Sequence, residues 1–493
     1  MGIISKQATQ NAISIVLGTL IGAANTIFVL PRVFEDSPDD WGLIKLITAY
    51  GITGAQFLCL GAPQIISRYY PRLAGDARNA MITFSLALPV ILLLILTCVF
   101  WSSGDSLMRT FGGEDTAIEN EGIFVLTLMF FQTLFISLSG YSASILKTTI
   151  YQILGDLFQK VSYLGIVLLY GLDVIDFHTL LILYTGIFVT QFVALLGHSF
   201  VNGLSFNFKF NLLPKFELIN YGLYSILDRG AAIVVANLDI IMLGWILGAD
   251  GLHEIAFYTI AFYMGSVAMI PQKSISIIAN PLVSKAIHKE DWADLKDIYV
   301  KSSINQLLLG GLIFALVWMN IDQILLILPE KFRGCKWVVL LIGLSKLFAL
   351  GSGVNGAIII FSKYFRSNLV INGALVVLTV ITNYFFISDT GLNMGINGAA
   401  LATAITFLVY NIIKTAFVWS KFRIIQINRE FIITAFLIAG LSCLYFTPSA
   451  NDYPFLSIAA KSSLAVGIFA FIALKFKLSK DLEGLVKKIL KLD

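Results

Sequence analysis

Six basic side chains fall inside long apolar stretches of this chain: Lys45, Lys160, Arg229, Lys346, Lys414 and Lys461. A charge at the centre of a bilayer costs about 3 to 15 kcal/mol, depending on how far it can snorkel, so one that persists there usually faces an aqueous cavity. At about 1.5 Å of helix rise per residue, Arg229 and Lys346 each sit roughly 13 Å from the nearer end of their stretch and cannot easily reach water. Lys45 and Lys160 lie roughly 6 to 9 Å inside, and Lys414 close to an end, so their apolar stems can carry the amine outwards. The chemistry these groups offer is recognition of an anion, because guanidinium and ammonium groups make charge-assisted hydrogen bonds to phosphate or carboxylate oxygens. Arg229 and Lys346 are therefore candidate substrate-binding residues, and Lys45 is a secondary one nearer the outer mouth. A structural intramembrane ion pair is the competing reading. Asp228 and Asp239 share a stretch with Arg229 and are eleven residues apart. On a helix that spacing places them within about 20° of one another. Carboxylates so placed can take up a proton or a sodium ion, which makes them the candidate ion-coupling residues.

The elements that must position these groups follow from composition. Of 493 residues, 57% are hydrophobic and only 13% charged, and mean hydropathy is +0.84. Such a chain cannot cover itself with polar surface and must face lipid along most of its length. Runs such as 80–101 and 455–474 stay apolar for about twenty residues, the length of a membrane helix, whereas a barrel strand needs about ten alternating ones. Windows of about 19 residues give spans near 10–31, 41–62, 80–101, 121–143, 154–172, 178–200, 220–248, 254–279, 301–319, 337–360, 368–387, 396–419, 431–446 and 455–475. The expected fold is an all-α polytopic membrane protein of about 14 transmembrane helices.

Charge placement sets the orientation. One set of connections carries 23 of the 34 Lys and Arg, including Arg68, Arg72, Arg78, Lys285, Lys289, Lys487 and Lys488; the opposite set carries five, among acids such as Glu35, Asp36, Glu114 and Asp115. By the positive-inside rule both termini are cytoplasmic. Two cytoplasmic segments, one around Trp292, Leu295 and Ile298 and one around Leu482, Leu485 and Ile489, have apolar helical spacing with basic flanks and are expected to lie on the membrane surface. Pro63, Pro89 and Pro271 mark possible bends in spans two, three and eight.

Other chemistries are excluded on the same page. The four cysteines have no C-x-x-C spacing and the four histidines lie far apart, so no disulfide framework and no metal site is expected. Gly351 to Gly356 matches G-x-G-x-x-G, but it is read as lying inside an apolar helix, with neither a preceding strand nor a following acid. No phosphate-binding G-x-x-x-x-G-K-[ST] occurs. No cofactor is expected, and uphill work must draw on an H+ or Na+ gradient, the membrane potential or a downhill substrate. A net charge of +4 gives no reason to expect nucleic acid.

Weak internal matches, Ser139, Gly140, Ile145 and Tyr151 against Ser352, Gly353, Ile358 and Tyr364, all fall 213 positions apart. They fit two six-helix halves of the same topology, here residues 1–215 and 216–430, followed by two additional helices in 431–475 and a cytoplasmic amphipathic tail in 476–493.

The segment from Gly391 to Thr403, "GLNMGINGAALAT", opens span twelve with a face of small residues suited to close helix packing. Together with the number and order of spans one to twelve, Pro271 to Lys285 and Gly351 to Tyr364, it resembles the polysaccharide or O-antigen flippase family of the multidrug/oligosaccharidyl-lipid/polysaccharide exporter superfamily, over essentially the whole chain. The resemblance implies two six-helix lobes forming a V, with spans one and seven lining a central cavity and spans thirteen and fourteen helping to accommodate a lipid tail. It further implies a flippase in the bacterial inner membrane that moves a polyprenyl-diphosphate-linked oligosaccharide, an exopolysaccharide or O-antigen repeat unit, from the cytoplasmic to the outer leaflet by alternating access. Expected partners are that lipid-linked oligosaccharide, membrane lipids, and a polysaccharide polymerase and glycosyltransferases. A peptidoglycan lipid-precursor flippase is the alternative. A multidrug or organic-cation antiporter often has an acid in its first span, where this chain has Asn11 and Asn25. An enzyme is not expected, because the longest outer loop, residues 102–120, is too short to build a carboxylate or metal site for glycosyl transfer.

Overall fold

The computed structural model describes residues 3–102, 121–448 and 452–479. They form helices joined by short turns, with no strand among the described residues. The membrane helices are α1 (Ile3–Ala24, continued by a π turn at Asn25–Val29 and by Leu30–Val33), α2 (Pro38–Leu58), α3 (Gly75–Ser102), α4 (Gly122–Ser144), α5 (Gln159–Gly171, preceded by Thr148–Gln152 and a π turn at Ile153–Phe158), α6 (Phe177–Val201), α7 (Lys215–Leu247) and α8 (Leu252–Ser266, continued by Ile270–His288). They are followed by α9 (Trp292–Met319), α10 (Lys336–Gly351), α11 (Phe365–Ile387), α12 (Gly395–Phe422), α13 (Arg429–Ser442) and α14 (Pro454–Lys475). Among the described residues twelve stretches are long and apolar enough to cross a membrane; one of these, Ile233–His288, runs through both the seventh and the eighth crossing, and the shorter apolar helix Leu17–Val33 supplies the first. All fourteen spans read from the sequence are therefore helical.

Local signals explain the helix ends. Pro38 and Pro454 open α2 and α14 at positions where a missing N–H costs nothing. The Asp291 side chain accepts from the Asp294 N–H at 3.0 Å and Asn428 from the Phe431 N–H at 2.8 Å, capping α9 and α13. Pro63 and Pro271 stand at helix starts, whereas Pro89 lies inside α3. Large apolar side chains point outwards along the spans, among them Leu94, Ile95, Phe436 and Phe455. In water such a surface is an aggregation liability; on a polytopic chain it is the face that meets lipid. This is a multi-pass membrane protein.

The chain divides into two compact units, Met1–Ala256 and Phe257–Asp493. In the first, α7 is 33 residues long, about 50 Å of helix against a hydrocarbon core of about 30 Å. Its start is anchored where Tyr69 donates to Glu217 at 2.6 Å and stands edge-on to Tyr221. In the second unit α13 and α14 join through α9, in a cluster that includes Leu308, Met319, Leu437, Leu441 and Phe469.

Two sequence readings take a different form in the structure. Residues 292–298 were expected on the membrane surface but make the first turns of α9, with Leu295 and Tyr299 fully buried against Ala286, Ile358 and Val418. Leu295 and Tyr299 thus pack on protein, while Trp292 stays exposed. The partner segment around Leu482 lies outside the described residues. Gly351 to Gly356 is not helix interior: α10 stops at Gly351, Gly353 turns with φ of +55°, and a new helix starts at Asn355. The glycine-rich segment opens α12 as read, with Gly398, Ala399, Ala400 and Ala402 buried on its small-residue face, and the residues just before it link the helix tightly to α11. Leu392 and Met394 donate their N–H groups to the Phe385 and Phe386 carbonyls, both at 2.9 Å. A Cβ on Gly391 would stand 2.0 Å from the Phe385 oxygen and one on Gly398 would stand 2.5 Å from that of Phe386. Only glycine permits that approach.

Candidate functional site

Helix α12 has two faces, and the chemistry of the second unit is divided between them. At 100° per residue, Phe407, Tyr410 and Lys414 share one side, while Leu408, Ile412, Thr415 and Trp419 share another roughly 130° away. Lys414 is buried and its amine stands 4.3 Å from the centroid of the Tyr410 ring, whose hydroxyl donates to Asn372 Oδ1 at 2.8 Å. Lys346, on the neighbouring α10, is 8% exposed and places its amine 4.7 Å from the Phe262 centroid and 5.0 Å from that of Phe407. Two buried ammonium groups thus flank the same face of α12, at heights set by positions 407 and 414. Rings at this distance offset about 0.5 to 2 kcal/mol of each charge's burial.

The opposite face borders an open apolar cavity of about 850 Å³ between α9, α10, α12 and α13. Phe314, Trp318, Leu344, Leu347, Trp419 and Phe431 are among its walls. On α10 the residues 340, 344, 347 and 351 that line it are one helical stripe, and Lys346 points roughly 140° away from that stripe. Charge and hydrocarbon are therefore kept on separate sides of the same two helices.

The other expected site residues belong to the first unit. Lys45 is half-buried on α2, its amine 5.7 Å from the Tyr163 ring. That ring stands edge-on to Tyr184 at 5.0 Å, and the Tyr184 hydroxyl shares a hydrogen bond of 2.7 Å with Thr48. Asp239 is 4% exposed on α7. The helix is unbroken from 215 to 247, so the eleven-residue spacing from Asp228 does put the two positions on nearly the same side of the backbone. The side chains of Asp228 and Arg229 themselves lie outside the described residues.

Lys461 and Lys160 are the remaining intramembrane cations. Lys461 donates to the Thr447 carbonyl at 2.9 Å at the end of α14, a snorkelling geometry. Lys160 stands 4.0 Å from Asp156, one turn earlier in span five. The sequence reading passed over Asp156 and a group of glutamines around it: Gln132 on α4, Gln152 and Gln159 in span five, and Gln191 on α6, which line a common polar cavity. The signal was present, since positions 152, 156 and 159 repeat at i, i+4 and i+7 in an otherwise apolar span.

No family profile and no curated protein sequence matches the chain. Solved structures do. The fold is that of transporters of the multidrug/oligosaccharidyl-lipid/polysaccharide exporter superfamily. Among its structural neighbours, the lipid II flippase MurJ in an inward closed conformation aligns with a TM-score of 0.69 at 11% identity, over 95% of this chain and 98% of that one. An inward-facing multidrug resistance MATE family transporter aligns with a TM-score of 0.62 at 15% identity, over 88% and 98%, and MATE in complex with MaL6 with 0.55 at 16%, over 90% and 98%. These neighbours are flippases and transporters rather than enzymes.

Proposed function

We propose that the protein is a flippase for a polyprenyl-diphosphate-linked oligosaccharide, a repeat unit of a surface polysaccharide, carried from the cytoplasmic to the outer leaflet by alternating access. The observation that carries this reading is the two-faced α12. Buried Lys346 and Lys414 on one side suit a diphosphate, because charge-assisted hydrogen bonds to phosphate are strongest where water is excluded. The apolar cavity on its other side suits the prenyl chain of the same molecule. Arg229 and Lys45 are further candidates for the diphosphate along its route. A drug-cation exporter would want the opposite sign of charge.

Energy comes from an H+ or Na+ gradient or from the membrane potential, with Asp239 and Asp228 as the acids that would bind the ion. A buried carboxylate in a membrane helix is a reasonable carrier of a proton. We place the chain in a bacterial inner membrane with both termini in the cytoplasm, from the cationic bias of its connections. There it would take cargo from glycosyltransferases and pass it to a polysaccharide polymerase.

The test is flipping by the full chain in proteoliposomes, using lipid-linked saccharides extracted from the cells that make it. Lys346→Ala at normal protein yield should slow flipping at least tenfold. Full activity in both Lys346→Ala and Lys414→Ala would sink the assignment of the phosphate site. A second reading, transport of a peptidoglycan lipid precursor, is favoured by the likeness to the lipid II flippase. Lipid II moved faster than the extracted saccharide lipids would select it.

A further inference from the structure

A polar cavity lies in the first unit, whereas Lys346, Lys414 and the apolar cavity belong to the second. The polar cavity measures about 300 Å³ and is walled by Gln132, Gln152, Gln159, Gln191 and Asp156, with Phe135 and Tyr151 on one side. Gln132 lies near the middle of α4, and Gln191 is 1% exposed near the middle of α6, so this is a polar space at membrane depth. Amide side chains are uncommon there, since each must be satisfied or face something polar. Some of theirs are satisfied internally: Gln191 donates to the Leu154 carbonyl, and Gln152 donates to the Asp156 carboxylate. The Oε1 of Gln132 is buried and has no hydrogen-bond partner among the described residues.

The shape of the space and its charges narrow the ligand. About 300 Å³ is some ten times the ~30 Å³ share of one water, and it falls at the lower end of the range for small-molecule sites. A bare cation is disfavoured, because the Lys160 amine stands 4.0 Å from the Asp156 carboxylate and already neutralises it. A phosphate is disfavoured too, because the Asp156–Lys160 pair offers no net positive charge to hold it and the Gln132 Oε1 would face it as an acceptor. What remains is a neutral ligand dense in hydroxyl or acetamido groups. Amides suit it, since each offers two donors and an acceptor. The Phe135 and Tyr151 rings, stacked with centroids 4.9 Å apart, add an apolar wall against which the C–H face of a sugar ring can lie. The backbone is shaped for the same end. Residues 153–158 form a π turn, a device that often marks functional sites, and it carries Gly155 into the cavity wall. A Cβ at Gly155 would make only an ordinary contact, 3.6 Å from Phe135, so the glycine leaves room rather than relieving a clash.

We infer that this cavity is a saccharide-binding subsite, which receives a neutral sugar of the cargo's head group and is separate from the cationic face that holds its phosphates. The inference rests on the flippase reading above and specifies which part of the cargo the first unit recognises.

The experiment compares two probes on the purified full chain: lipid-linked saccharides extracted from the producing cells, and the same polyprenyl diphosphate with no sugar. Gly155→Leu, which fills the cavity, and Gln132→Leu, which removes an acceptor, should each weaken binding of the saccharide lipid at least tenfold and leave the sugar-free lipid unchanged. Lys346→Ala should weaken both. In the unaltered protein, the saccharide lipid but not the sugar-free one should slow amide hydrogen exchange in residues 148–159, a readout that needs no variant to fold. If that segment is not protected, or if folded variants bind the saccharide lipid as tightly as the parent, the subsite is wrong while the flippase reading stands. If the parent chain binds neither lipid, the flippase reading falls and this inference falls with it.

Discussion

The first unit gathers amides around a neutralised carboxylate, and the second buries lysines beneath aromatic rings. Gln132, Gln152 and Gln191 are polar groups that carry no charge, and the nearest charges, Asp156 and Lys160, form a pair within one helical turn. Lys346 and Lys414 are full charges set over Phe262, Phe407 and Tyr410. An uncharged hydrogen-bonding surface discriminates by the pattern of donors and acceptors, whereas a buried cation discriminates by charge and is indifferent to what the anion is attached to. On the reading proposed above, the two units serve different parts of one amphiphilic ligand, and their failures should differ in kind.

The sharpest break of that contrast is Lys346→Ala. It should lower the flipping rate by about 10- to 100-fold for every diphosphate lipid, whatever its sugar, because removing one partner of a buried charge interaction costs roughly 1.4 to 3 kcal/mol. Lys346→Arg keeps the charge and should remain within about threefold, since both cations stack on aromatic faces. Rates measured in vesicles on lipids with and without sugar decide the matter. A loss confined to the sugar-bearing lipid would erase the distinction between the units. Next in size is Lys414→Ala, expected to cost about three- to tenfold in the same assay. Lys414 stands over one aromatic ring where Lys346 stands near two, so its loss should be felt less.

How much of this was legible in the sequence depends on the length scale of the signal. The fourteen helices were visible, because a bilayer demands about twenty apolar residues at a time and leaves little else to satisfy the backbone. The burial of Lys346 was expected for the same reason, although α10 ends at Gly351, five residues past it, and not at the far end of the apolar stretch. Its ring partners were not, since Phe262 and Phe407 belong to other helices and aromatic residues are scattered along every span. The amide cavity escaped for a related reason. Glutamine carries no charge, so a census of intramembrane cations and acids passes over it, and only the convergence of α4, span five and α6 gives those residues a shared meaning. The misread segments share one cause. For residues 292–298, and for the glycine turn after α10, local pattern was compatible with two environments, and tertiary packing chose between them.

A smaller effect tests whether the first unit's charges matter as charges. Asp156 and Lys160 are each partly exposed and 4.0 Å apart, so their coupling should be about 0.5 to 1 kcal/mol. In a double-mutant cycle of Asp156→Asn and Lys160→Gln followed by thermal unfolding, the double variant should be about as stable as either single one. A coupling of several kcal/mol would mean that this pair is buried charge of the same kind as in the second unit.

The smallest effect is expected at Lys461, the control that separates a working cation from an incidental one. It shares the second unit with Lys346 and Lys414 and is 9% exposed, so burial alone does not tell the three apart. Orientation does: its amine reaches the Thr447 carbonyl at 2.9 Å, at the end of α14, where the side chain escapes the bilayer rather than facing a site. Lys461→Met keeps the apolar stem and loses one hydrogen bond at the membrane edge, a change of about 0.5 to 1.5 kcal/mol in stability. Flipping should stay within about twofold of the parent, and affinity for sugar-free polyprenyl diphosphate should not change. A tenfold loss in either would show that proximity to aromatic rings is not what marks a phosphate-binding lysine in this fold, and the assignment of Lys346 and Lys414 would then need a different basis.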